Sequence, residues 1–158
     1  MKKLLFAALL VAGSFSVSAQ ETKFGAKAGV DLASVKVDLG PLGEVSESYT
    51  GFFAGAYANI GISESFSVQP ELLYVSLPDD FSFLNIPVMA KFKFDDFSVF
   101  AGPDLNYFLN ADEDQFKVNV GVGAGYQISE DIDVSAKYSM GMGDVKVSGI
   151  FVGVGYGF

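Results

Sequence analysis

The side chains able to do chemistry in this sequence are carboxylates, lysines, hydroxyls and amides. There are 19 Asp and Glu and 10 lysines, against no histidine and no cysteine, and arginine and tryptophan are absent too. Without imidazole or thiol, the Ser–His–Asp and Cys–His arrangements and His-ligated metal sites are excluded. A nucleophile would have no histidine base beside it. There is no disulfide framework. A net charge of −9 without arginine makes nucleic acid an improbable partner.

Two groups of charged residues remain. Asp112, Glu113 and Asp114 form the densest acidic run, within a set of acidic connections that also holds Asp38, Glu44, Glu47, Asp79, Asp80 and Asp144. Clustered carboxylates can hold Ca²⁺, but the run lacks the spaced ligands and turn glycine of a dedicated calcium loop. It reads as solvated charge, or as loose divalent bridging to lipid phosphates, and no metal or cofactor is expected. The second group is Lys27, Glu71, Lys91, Asp104, Lys117 and Lys137. What unites these becomes visible only from the elements that carry them.

The clearest element is Phe116 to Ile128, F-K-V-N-V-G-V-G-A-G-Y-Q-I. Every second residue is apolar, and those between are polar or glycine. Side chains alternate faces on a strand, so one face is wholly apolar and the other polar or bare. At ~3.3 Å per residue the stretch spans about 40 Å, long for a globular strand. A strand tilted by ~45° needs about 9–11 residues to cross a hydrocarbon layer.

Before the repeats comes a leader. Lys2 and Lys3 precede an apolar run from Leu4 to Ala12, and Val17-Ser18-Ala19 places small residues at a cleavage position. Residues 1–19 are expected to be a signal peptide, cut before Gln20, with residues 20–158 forming one domain.

Eight alternating segments follow: Lys23 to Leu32, about Ser48 to Ile62, Phe66 to Val75, Phe83 to Phe94, Phe97 to Phe108, Phe116 to Ile128, Ile132 to Tyr138 and Lys146 to Phe158. A long polar loop is expected from Ala33 to Glu47. Connections after the second, fourth and sixth segments are short, and the others are longer. Short turns on one side and longer loops on the other mark outer-membrane barrels, the short ones facing the periplasm. Pro70, Pro87 and Pro103 each delete a ladder donor, so bulges are expected there.

Alternation also suits a soluble sandwich or barrel, so the charges decide. The apolar faces are small or aliphatic at mid-length, as at Ala28, Val88 and Val120. They turn aromatic at their ends, as at Phe24, Phe97 and Tyr156 on one side and Phe52, Tyr74 and Tyr107 on the other. Aromatic girdles around an aliphatic band match lipid boundaries. Lys23, Lys27, Lys91, Lys93, Lys117 and Lys137 all fall on the opposite face. A lysine facing lipid at mid-bilayer costs about 2–4 kcal/mol, so this sorting has an energetic cause.

The fold class is therefore all-β: an eight-stranded antiparallel transmembrane up-and-down β-barrel. Its lumen would hold Lys27, Asp31, Glu71, Lys91, Lys93, Asp104, Lys117, Asp133 and Lys137, with bulky Phe53, Tyr57, Leu73, Met89, Phe100 and Phe151 set against glycines. Eight strands leave a lumen that side chains can fill. Glu71 is expected at the centre of a charge network reaching Lys91 and Lys27. The network could be an ion path or gate, but narrowness favours a filled interior.

With the strands placed, recurring pieces stand out: Gln69-Pro70-Glu71-Leu72, Leu84-Asn85-Ile86-Pro87, Ala101-Gly102-Pro103, Gly121-Val122-Gly123-Ala124-Gly125-Tyr126 and the ending Gly153-Val154-Gly155-Tyr156-Gly157-Phe158. Their order resembles the small outer-membrane β-barrel proteins common in Bacteroidota, the porin-family or PorT-like barrels. In size and layout the chain is also similar to OmpX and the OmpA barrel. The resemblance implies export to the bacterial outer membrane and contact with its lipid and lipopolysaccharide. It also implies insertion by the barrel-assembly machinery, with Tyr156 and Phe158 as the assembly signal. It implies a non-enzymatic structural or surface role, whose loop ligand the residues do not identify. The alternatives are a narrow porin-like channel for small solutes or ions, a soluble periplasmic β-protein, and a membrane acyltransferase, deacylase or omptin-type protease. The enzymes of that last class rely on a histidine that is missing here.

Overall fold

Period-two alternation, repeated along a chain with few helix formers between, leaves strand pairing as the way to satisfy the backbone. A computed structural model describes residues 21–113, 115–143 and 145–158. It contains β1 (Glu21–Asp38), β2 (Glu44–Gly61), β3 (Phe66–Ser76), β4 (Ser82–Phe94), β5 (Phe97–Phe108), β6 (Phe116–Gln127), β7 (Ile132–Gly141) and β8 (Val145–Gly157). Each strand pairs antiparallel with the next, and β8 closes on β1. The expected leader, residues 1–19, and Asp114 lie outside the described residues. No helix among the described residues is long and apolar enough to cross a membrane. In a barrel the strands do the crossing, because closure satisfies every backbone group without help from lipid.

Faces follow parity. Phe24, Phe52, Leu72, Val88, Val99, Val120, Val122 and Val154 point outward and are exposed, while Lys27, Phe53, Glu71, Met89, Asp104 and Lys137 point inward and are buried. Register stacks the aromatic ends into belts. On the loop side Tyr74 faces Leu84, Leu84 faces Tyr107, and Tyr107 faces Phe116. On the turn side Phe94 faces Phe97, which faces Tyr126.

Two features differ from expectation. The stretch 33–47 is not a loop. β1 and β2 stay paired up to Asp38↔Glu44 around a short 3-10 turn, Gly40–Leu42, and β1 stays paired with β8 up to Val37↔Val145. β2 leaves β3 at Phe52↔Ser76, and β8 leaves β7 at Ser139↔Gly149. A three-stranded finger, β8–β1–β2, therefore stands beyond the barrel wall. Its patterning is reversed relative to the wall. Outward positions above Leu32, Phe52 and Ile150 are Ser34, Lys36 and Asp38, then Thr50, Ser48 and Ser46, then Ser148 and Lys146. Inward positions are Ala33, Val35, Val37, Val45, Tyr49, Val145 and Val147, with Glu47 as the exception; Ala33 is buried, whereas Val45 and Val145 near the tip are exposed. Outward apolar residues end there, which is why the alternation looks interrupted in the sequence.

The second difference is at the prolines. Tyr57↔Glu71 and Ile60↔Val68 flank Pro70 at equal steps on both strands, as Pro87↔Asp104 and Ala90↔Ala101 flank Pro103. Pro70↔Val88 and Leu73↔Asn85 do the same around Pro87. The ladder skips pairs near each proline but keeps its register, so there is no bulge. A bulge would shift one strand's parity and turn lipid-facing side chains inward, a larger penalty than a missing hydrogen bond.

The lumen is packed at one end and open at the other. Under the finger, Phe53, Val75, Leu77, Phe83, Phe108 and Phe151 form a buried apolar plug. Its rings meet at centroid distances of 5.4 Å for Phe53–Phe151 and 5.2 Å for Phe83–Phe108. Glycines give such rings their space: a Cβ at Gly153 would lie 2.7 Å from Phe53, and one at Gly123 would lie 2.5 Å from Phe100. At the turn end the lumen is not filled. There the inward residues include Gly61, Ser67, Ser98, Gly125 and Gly157, and a polar vestibule of about 880 Å³ results.

Candidate functional site in the barrel lumen

From the vestibule inward, polar side chains form two layers. The first is built from β1, β2, β3 and β4. Lys27 Nζ lies 2.8 Å from Glu71 Oε1, both buried. Gln69 Nε2 donates to the same Glu71 oxygen at 2.6 Å, and Gln69 Oε1 accepts from Asn59 Nδ2 at 2.9 Å. Lys91, half-buried in the vestibule wall, donates to Gln69 Oε1 at 3.4 Å. Glu71 thus meets Lys27 directly, while Lys91 reaches it only through Gln69.

The second layer lies nearer the loops and joins β4, β5 and β7. Lys137 Nζ is 3.1 Å from Asp104 Oδ2 and donates to Asn85 Oδ1 at 2.8 Å. Asn85 Nδ2 donates to Asp104 Oδ1 at 2.5 Å and to Asn106 Oδ1 at 2.7 Å. The Lys137 ammonium also lies 4.3 Å from the centroid of the Phe151 ring, where the plug begins. Above it Asn119 Nδ2 donates to Ser139 Oγ at 2.9 Å and to the Val147 carbonyl at 2.8 Å. Leu73 and Met89 are buried on the same inner face.

Parity alone puts Lys27, Glu71, Lys91, Asp104, Lys117 and Lys137 on one face. Lys27, Glu71, Asp104 and Lys137 fall in two ion-paired layers. Lys117 is half-buried opposite Asn106 and makes no ion pair among the described residues. The neutral bridges Asn59, Gln69, Asn85, Asn106 and Asn119 were missed as site residues, although all sit at inward parity between apolar neighbours. Asp112 and Glu113 are exposed in the β5–β6 connection, and no group of three or more metal-capable side chains occurs among the described residues. Tyr156 faces outward, and Phe158, 76% exposed, donates its backbone N–H to the Phe24 carbonyl at 2.9 Å.

A closed antiparallel barrel with a girdled apolar exterior and a charged interior is a transmembrane β-barrel. Residues 5–158 match the family described as outer membrane protein beta-barrel domain, and the chain belongs to it. It is a protein of the bacterial outer membrane. No curated protein matches the sequence. Among solved structures it is similar to Ail, the attachment invasion locus protein of Yersinia pestis, at 18% identity and TM-score 0.59, covering 88% of this chain and 100% of that one. It is similar to Neisserial surface protein A at 18% identity and TM-score 0.57, with the same coverage of 88% and 100%. A de novo designed transmembrane β-barrel matches at 14% identity and TM-score 0.55, covering 85% and 95%. At these identities the likeness is one of fold.

Proposed function

We propose that this barrel is non-enzymatic, that its lumen is not a conduit, and that its working part is the loop end, in a structural or surface-interaction role. The apolar plug over two ion-paired layers carries this reading: an ion passing through would have to shed water among phenylalanines after breaking buried pairs. In planar bilayers the refolded protein is expected to give no steady conductance. Sustained single-channel steps would instead establish the alternative, a narrow channel.

In this family layout the short turns face the periplasm and the finger faces outside. The exposed finger carries Asp38, Glu44 and Glu47, and the neighbouring connections add Asp79, Asp80, Asp112 and Glu113. Ail has been crystallised with the heparin analogue sucrose octasulfate. Here an acidic loop end would repel a polysulfate, so the surface partner of this chain is a neutral or basic one, or lipopolysaccharide phosphate bridged by divalent cations. Removal of residues 1–19 on export, insertion by the barrel-assembly machinery through Tyr156 and Phe158, and kinship with Bacteroidota PorT-like barrels belong to the same reading. The leader's charge and apolar pattern, the exposed terminal aromatics and the order of the recurring motifs support them in turn.

A further inference from the structure

Five ionisable side chains are buried among the described residues: Lys27, Lys137, Asp31, Glu71 and Asp104. Lys27 is taken by Glu71 and Lys137 by Asp104. That leaves Asp31 without an ion pair of its own: Lys137, on the far side of Phe151 in the register, acts on it electrostatically but is held by Asp104. Asp31 is 1% exposed, and neither of its carboxylate oxygens has a hydrogen-bond partner among the described residues. Glycine at 149 gives the carboxylate its room, since a Cβ there would lie 2.6 Å from Asp31 Oδ1.

Beside Asp31 is a cavity of about 10 Å³, walled by Asn106, Asn119 and Ser139 and by the apolar side chains of Ala33 and Phe151. All three polar residues are buried. The Asn119 amide hydrogens go to Ser139 Oγ and the Val147 carbonyl, which leaves its Oδ1 to offer. Asn106 Oδ1 accepts one bond from Asn85 and keeps a second lone pair. The cavity is therefore lined by one carboxylate and by neutral side-chain oxygens, in an otherwise apolar wall.

We propose that this cavity binds a single monovalent cation of sodium's size, held by the Asp31 carboxylate with Asn106, Asn119 and Ser139 as neutral oxygen ligands. Charge selects the valence. The cavity offers a single carboxylate and otherwise neutral oxygens, which balance one monovalent charge and are too few to replace the hydration shell of a divalent ion. Volume selects the size, because the cavity matches about one water-sized sphere and a hydrated or organic cation does not fit. A water alone would give Asp31 hydrogen bonds but no directly contacting counter-charge in a low-dielectric interior.

The test is equilibrium unfolding of the refolded protein in micelles at pH 8, in sodium, potassium or N-methylglucamine chloride at equal ionic strength. A ligand that binds only the folded state raises the folding constant about tenfold per decade of concentration once above Kd. That rise is expected with sodium, a smaller one with potassium, and none with the organic cation. Asp31→Asn should be flat in all three, and Ser139→Ala should need more sodium for the same rise. A wild type that stays flat in sodium overturns the proposal, and so does an Asp31→Asn variant that keeps the response. Stability indifferent to sodium but falling between pH 5 and pH 8 would assign Asp31 a proton instead, and would also overturn it.

Discussion

Glu71 shows how much a single inward side chain decides. It accepts from Lys27 and Gln69 in a space closed to lipid by the wall and to the loop side by the plug. Glu71→Gln would leave Lys27 buried without its counter-charge, and losing one partner of a buried pair costs about 3–5 kcal/mol. The denaturation midpoint of that variant should drop accordingly, whereas Lys27→Met combined with Glu71→Leu should recover most of the loss. At this scale the sequence is informative about face and silent about partner. Alternation puts Lys27, Glu71, Lys91, Asp104 and Lys137 on one side of their strands. Which of them meet depends on the stagger between strands, set by backbone pairing around the whole ring. Parity therefore offers Lys91 as readily as Lys27, and only the height of Gln69 between Lys91 and Glu71 separates the two.

Along an element, the same outward row meets lipid for part of its length and water for the rest. On β6, Val120 lies in the exposed apolar band and its neighbour Asn119 is buried in the lumen. Val120→Lys should destabilise by about 2–4 kcal/mol in a bilayer. Ser34→Lys, also outward on β1 but above Leu32, should stay within about 0.5 kcal/mol, as surface substitutions do. Refolding titrations in lipid vesicles would read both; equal losses would contradict the placement of the band. The wall strands are legible because lipid enforces one phase of alternation along them. The finger is not, because beyond the lipid the rule reverses and Ser34 to Asp38 resembles a polar loop to anyone looking for outward grease. The prolines mislead in another way: deleting a donor suggests a bulge, but register cannot slip in a wall whose two faces meet such different surroundings.

For the whole molecule, closure is the stabilising event, because β1 and β8 at opposite ends of the described chain must pair from Gly25↔Gly157 to Val37↔Val145. Such a ring has no edge from which to fray. The refolded protein is expected to migrate on a gel differently before and after boiling, and an identical position in both lanes would contradict a closed barrel. Phe158 docks its N–H on Phe24 at the seam. Deleting it is expected to lower the amount of protein recovered in the outer membrane while leaving the boiled band unchanged in size. Membership of an outer-membrane barrel class was legible from girdles and charge sorting. The uneven filling of the interior was not, since it depends on where small residues from different strands coincide in height. The change of phase in β1, β2 and β8 has a further consequence. Leu32, Phe52 and Ile150 record the waterline: beneath it the chain keeps grease outside as a membrane protein does, and above it the same unbroken strands turn a polar row outward and move most of their valines to the opposite face. Grafts or peptide insertions above that mark need obey only the rules of aqueous proteins, so the tip can be rewritten without renegotiating the part that lives in lipid.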